Sequence, residues 1–206
     1  MQAIVHSRYG PPDVLELKDI DQPAINDDQV LVQVHAAAVG KGDWLTVQGL
    51  PYVARLRYGL PNPKHNVPGF DVAGRIEAVG PSVTQLQPGD AVFGWCDGSF
   101  AEYASVPEGQ LALKPANLTF EQAAAVPISG FAALQALRDT GGVQPGQQVV
   151  IIGASGGVGS FAVQLAKAFG AEVTGVCSTK SVDLVRSLGA DHVIDYTQGD
   201  FTRRGQ

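Results

Sequence analysis

Val149-Val150-Ile151-Ile152-Gly153-Ala154-Ser155-Gly156-Gly157-Val158-Gly159 runs on through Ala166 and Lys167 to Gly170, and the rest of the chain can be placed around it. Four apolar, β-branched residues in a row, without alternation, suit a strand covered on both faces, as in a parallel sheet flanked by helices. Gly153, Gly156, Gly157 and Gly159 then remove side chains where a backbone turns sharply, approaches a ligand or lets a helix pack on the strand. Val158, Phe161, Ala162, Leu165, Ala168 and Phe169 follow with helical spacing, and Gly170 supplies a stop.

A helix starting near Gly157 aims its unpaired N–H groups and the positive end of its dipole at whatever fills the glycine turn, which is the arrangement that binds a pyrophosphate. A second β-like run, Glu172 to Cys177, stands directly behind, so the context of a dinucleotide fingerprint is complete: strand, glycine turn, helix, strand. The competing reading is a tight structural turn in an unrelated α/β domain.

The 206 residues suffice for one large or two modest domains, and 45% hydrophobic against 17% charged residues describe a core former. The net charge of -6 carries no basic cluster, which argues against nucleic acid or an anionic membrane as the main partner. Two distant cysteines, Cys96 and Cys177, give no disulfide framework and point to a reducing compartment. Met1 to His6 has no leader character and no run reaches the ~20 apolar residues of a membrane span, so a cytoplasmic location is expected.

Up to about residue 117 the chain consists of short β-like runs, Val30–His35, Gly74–Val79 and Ala91–Phe93, separated by Gly, Pro and Asp turns, as in a small barrel or sandwich. From residue 118 the character changes. Thr119 with Gln122 forms a capping box, and helix is expected across Ala123–Val126 and Ile128–Arg138 until Gly141-Gly142. Beyond Pro145-Gly146 come the strand at Val149, its helix, the strand to Cys177, a helix capped near Ser181 with Val182, Val185 and Leu188 inward, and a strand His192–Ile194. The expected fold class is thus a β domain over 1–117 followed by an α/β domain over 118–206 that forms the first half of a Rossmann doubly wound parallel sheet.

Val34-His35-Ala36-Ala37-Ala38-Val39, Pro68-Gly69-Phe70-Asp71-Val72-Ala73-Gly74, Pro88-Gly89-Asp90, Gly98-Ser99-Phe100-Ala101-Glu102-Tyr103, Ala123 to Pro127, Gly153 to Gly159 and Leu188-Gly189-Ala190 occur in one order and spacing. With them the chain resembles the medium-chain dehydrogenase/reductase superfamily, in its zinc-independent quinone oxidoreductase-like branch. The resemblance implies an N-terminal GroES-like β-barrel-type domain, a Rossmann domain, and hydride transfer from NADPH to a quinone, enone or related carbonyl compound. It also makes a homodimer an expected state.

Zinc-dependent relatives hold their catalytic metal at places that match Gly40-Lys41-Gly42-Asp43 and Gly69-Phe70-Asp71 here; Phe70 offers no ligand atom, and two cysteines cannot build a four-cysteine lobe, so no zinc is expected. An acid that would hold an NAD ribose is missing at the end of the second strand, where Cys177-Ser178-Thr179-Lys180 stands instead. Hydroxyls plus a cation suit a 2′-phosphate. The resemblance likewise places Lys180 and Tyr196 against that phosphate or the adenine. The cofactor-binding set is Gly153, Ala154, Ser155, Gly156, Gly157, Val158, Gly159, Ser178, Thr179, Lys180 and Tyr196. Relatives often carry an Asn where Gly40 stands; Asp43 and Tyr52 are the catalytic candidates, with Tyr58 beside them, although Asp43 also reads as a cap of the helix Trp44–Gln48.

Two other functions stay open at this point. One is reversible alcohol oxidation as an NAD(P)-dependent alcohol dehydrogenase, disfavoured because nothing evident stabilises an alkoxide; the other is a nucleotide-binding or sensing protein without turnover. A doubly wound fold has two β-α-β-α-β halves, and only one is present before Asp200–Gln206, so a C-terminally shortened chain with an exposed edge at Val149–Ile152 is expected.

Overall fold

The computed structural model describes residues 1–199, and Asp200–Gln206 lie outside the described residues. The chain divides into two compact units, Met1–Ile128 and Ser129–Gln206.

In the first unit β1 (Gln2–Val5) and β2 (Glu16–Asp19) form an antiparallel pair, while β3 (Gln29–Ala38), β4 (Asp71–Val79), β5 (Ala91–Trp95), β6 (Tyr103–Pro107) and β7 (Leu111–Leu113) form a five-stranded antiparallel sheet in the order β6-β3-β4-β5-β7. The β-like run at Val30–His35 lies within β3: Val30 and Val32 share one core with Val72, Ile76, Val92, Ala104 and Val106, and Leu31 between them is buried as well. Register shifts at Leu31/Val32 and Val34/Ala36 bend β3 against β4. Between β3 and β4 the chain forms α1 (Lys41–Gln48) and α2 (Arg55–Tyr58). After β7, α3 (Phe120–Ala124) starts on the expected box: the Gln122 N–H donates to Thr119 Oγ1 at 3.2 Å, and the Thr119 N–H donates to Gln122 Oε1 at 2.9 Å. Ala123 and Ala124 pack on Ala73, which keeps α3 with the first unit and carries that unit to Ile128, past the change in composition.

The helix expected at Ile128–Arg138 is α4 (Pro127–Leu134), whose last turns, Gln135–Thr140, widen to π geometry. In the second unit β8 (Gln148–Ile152), α5 (Gly157–Ala168), β9 (Glu172–Cys177), α6 (Val182–Ser187) and β10 (His192–Asp195) follow, and the three strands lie parallel in the order β10-β9-β8. Gly170, at φ +80°, ends α5 in the left-handed conformation that a side chain resists. Val185 is fully buried, and a Cβ on Gly175 would lie 2.5 Å from its Cγ1, so the glycine in β9 is what lets α6 seat on the sheet.

One expectation about β8 fails. Ile151 is buried, but Val150 is 61% and Ile152 71% exposed, so the strand is covered on one face only. The cause is topological. Both crossovers, β8 to β9 and β9 to β10, step in the same direction, and right-handed crossovers in one direction place their helices on one side. The chain order that would put helices on the other side is not present among the described residues. β8 is also the sheet edge.

Among the described residues no helix is long and apolar enough to cross a membrane.

Candidate functional site

The glycine turn sits at the C-terminal end of β8. Gly153 adopts φ +77°, which brings the N–H groups of Gly153 and Ala154 onto Val176 O, each at 3.0 Å, and Gly156 N–H onto Gly153 O at 2.9 Å. The chain thus folds back on itself before Gly156 (φ −78°, ψ 172°) caps α5. A Cβ on Gly159 would lie 2.1 Å from Gly153 O, so α5 begins as close to the turn as backbone atoms allow. The first-turn N–H groups from Gly157 to Gly159 have no acceptor inside the helix. Gly157 and Val158 are exposed, and this rim of donors at a helix start fits a pyrophosphate. Ala154 is buried, and Ser155 is half-buried.

The turn after β9 carries Ser178, half-buried, and Thr179 and Lys180, both exposed. Ser181 occupies the cap position of α6, but its side chain makes no cap bond. An acid stands at this turn after all, and it comes from the neighbouring strand: β10 pairs with β9 so that Asp195 is opposite Cys177. Thr179 Oγ1 donates to Asp195 Oδ2 at 2.5 Å, and these contacts together with those from Thr197 hold the Asp195 carboxyl below its ordinary range. Tyr196, 54% exposed, follows directly. Parallel register was the signal that could have found Asp195, because it places the ends of adjacent strands side by side whatever their separation in sequence.

In the first unit, Asp43 is the third residue of α1 and only 3% exposed. Its Oδ2 accepts the Gly40 N–H at 2.7 Å, so it does serve the helix start; its Oδ1 has no partner among the described residues, and burial raises its pKa. Asp71, at the start of β4, accepts the Ile128 N–H at 2.8 Å. Burial, reinforced by the Asp43 charge, pushes its carboxyl up to about 6 despite that hydrogen bond. Sequence reasoning quoted Asp71 within a motif and gave it no role. Tyr52 is 72% exposed beneath the Arg55 guanidinium, 4.9 Å from its ring, and no hydrogen bond joins it to Asp43. Tyr58 is tilted against Phe70 at 6.3 Å between ring centroids.

Phe70 presents a ring where the zinc-dependent pattern has a ligand, a Cβ on Gly42 would lie 4.0 Å from that ring, and no three His, Cys, Asp or Glu side chains converge among the described residues. The donor set does not fit a zinc centre. The glycine turn does fit a dinucleotide, since a side chain at Gly159 would fill the close approach that the turn maintains.

Comparison with known proteins agrees with both units. Residues 26–116 match the alcohol dehydrogenase GroES-like domain, and residues 157–205 match the domain described as zinc-binding dehydrogenase. The NADPH-dependent alkenal/one oxidoreductase, chloroplastic, of Arabidopsis thaliana is 41% identical over 96% of this chain and 53% of its own length. The quinone oxidoreductase of Coxiella burnetii superposes with a TM-score of 0.89 at 34% identity, over 100% of this chain and 65% of that one. The Escherichia coli quinone oxidoreductase complexed with NADPH superposes with a TM-score of 0.87 at 28% identity, over 99% and 61%. The chain spans about half the length of the curated relatives it matches. By its two domain types, their order and these relatives, the chain belongs to the medium-chain dehydrogenase/reductase superfamily, among its quinone oxidoreductase-like members.

Proposed function

We propose that the chain forms the substrate-domain and cofactor-binding part of an NADPH-dependent oxidoreductase that reduces quinones or α,β-unsaturated carbonyl compounds without a metal. The observation that carries this reading is the glycine turn at the end of β8, with its first-turn N–H groups free for a pyrophosphate. The cofactor would supply the hydride when bound. What the chain's own residues do is hold it: Gly153 to Gly159 receive the pyrophosphate, and Ser178, Lys180 and Tyr196 surround the adenosine side, with Thr179 tied to Asp195. Holding the donor carbon against an electrophilic carbon is the main requirement of such chemistry, so no side-chain acid is obligatory. Asp43 fixes the turn at Gly40, Tyr52 is open to solvent, and both stay the catalytic candidates of the first unit. The Arabidopsis relative, an NADPH-dependent alkenal/one oxidoreductase, supports the substrate class, and the NADPH complex of the Escherichia coli neighbour supports the cofactor.

The test pairs binding with turnover. NADPH is titrated by its fluorescence, and its consumption is followed with a panel of quinones and enones. Charge-assisted contacts to a phosphate contribute on the order of 1.5 to 3 kcal/mol, so Lys180→Ala should weaken NADPH about tenfold or more and leave NADH nearly unchanged. Equal weakening of both cofactors would remove Lys180 from the phosphate site. Binding without consumption would favour a nucleotide sensor.

A further inference from the structure

Thr179, Asp195 and Thr197 form a closed group at the ends of β9 and β10. Thr179 Oγ1 lies 2.5 Å from Asp195 Oδ2 and 2.7 Å from Thr197 Oγ1, while Thr197 directs its N–H (2.9 Å) and its hydroxyl (2.7 Å) at Asp195 Oδ1. Three short oxygen–oxygen contacts therefore draw on the two protons that two hydroxyls possess. An ionised carboxylate only accepts, so the Thr179 proton goes to Asp195 Oδ2 while the Thr197 proton serves Asp195 Oδ1 or Thr179 Oγ1, and Thr179 keeps none for another acceptor. Outward, the group presents lone pairs and one negative charge. It borders an open groove of about 420 Å³ whose lining includes Thr179, Arg186, Asp195 and Gln198.

A ribose 2′-hydroxyl is a donor and can be received by such a surface. A 2′-phosphate brings more negative charge and further acceptors, and at Thr179 it meets an oxygen with no proton to give and a carboxylate directly behind it. Lys180, on the same turn, works in the opposite sense.

We propose that Asp195 is a cofactor-selectivity residue: held beside the turn after β9, its carboxylate opposes a 2′-phosphate and keeps NADH usable alongside NADPH. This rests on the reading of that turn as the ribose site. Selectivity at the turn is then a balance between Lys180 and Asp195, and removing the acid tips it.

The 206-residue chain, Asp195→Asn and Asp195→Ser are titrated with NADPH and with NADH by fluorescence, at low and at high salt. Either substitution keeps an acceptor for the Thr197 N–H, so the second carries the test if the first fails to fold. The expected result is three- to tenfold tighter NADPH with NADH changed less than twofold, the gain shrinking as salt screens the charge. Because the ratio of the two affinities cancels any change in the turn that both cofactors feel, an unchanged ratio would overturn the inference, as would a ratio that shifts toward NADH. If the unsubstituted chain binds neither cofactor, the reading of the second unit as a cofactor domain fails first and takes this inference with it.

Discussion

Asp71 is a residue whose cost to the fold can be measured. Its carboxyl is 8% exposed and titrates near 6 instead of the ordinary 3.8, because burial and the neighbouring Asp43 disfavour the charged form. For a raised carboxyl the sign is fixed: its stabilising effect is complete below pH 3.8 and is lost as pH rises through 6. Asp71→Asn keeps an acceptor for the Ile128 N–H and removes the charge. Tenfold in proton affinity corresponds to about 1.4 kcal/mol, and residual solvent screening reduces the sum, so the variant should be more stable than the parent by about 1 to 2 kcal/mol at pH 8. At pH 4 the two should coincide. Urea unfolding at both values checks this, and an advantage that persists undiminished at pH 4 would show that the Asp71 charge is not its source. Nothing in the order of residues announced the effect. Lys180 and Ser178 are proposed from a local run that the sequence displays directly, whereas the rise at Asp71 and the tie between Thr179 and Asp195 arise from side chains that β4 and β10 carry in from elsewhere in the sequence.

At the level of elements, the glycines of the turn after β8 divide into two kinds that composition alone could not separate. Gly159 is packed against the Gly153 carbonyl and Ala154 Cα, at 2.1 and 2.9 Å from a notional Cβ. Gly156 has an ordinary φ of −78° and would place its Cβ 3.3 Å from Gly153 O, tight but tolerable with a small shift. Gly159→Val should therefore lower the thermal midpoint, because α5 cannot stay seated on the turn. Gly156→Val should fold and lose at least tenfold in NADPH affinity, about 1.4 kcal/mol. A folded Gly156→Val variant with unchanged affinity would mean that the turn is structural only. The elements themselves were mostly readable, since β8, α5 and α6 each end at a glycine, Gly153, Gly170 and Gly189, and β9 is a compact apolar run between two of them. What sequence misjudged was coverage. Four apolar residues in a row state that a strand can be buried on both sides, but which sides receive helices depends on the direction of the crossovers.

For the molecule as a whole, that bare side has a physical outcome. β8 is the edge of its sheet, and Val150 and Ile152 stand exposed on one face of it. An apolar edge with unpaired backbone groups is a template for another strand. The 206-residue chain is therefore expected to self-associate with rising concentration, and Val150→Lys with Ile152→Lys to shift it towards monomer without loss of the folded circular dichroism spectrum. Sedimentation velocity across a concentration series decides it, and a monomer throughout would refute the expectation. The same strand leaves a second signature. Its ladder with β9 runs from the Glu172 N–H on Gln147 O to the Gly153 N–H on Val176 O and uses alternate residues of β8. The amides of Val149 and Ile151 therefore face β9, and those of Val150 and Ile152 face outward. In deuterated solvent the strand should label in a striped pattern, with fast exchange at 150 and 152 and slow exchange at 149 and 151. Whatever pairs with this edge would write its presence into the molecule by making the stripes disappear.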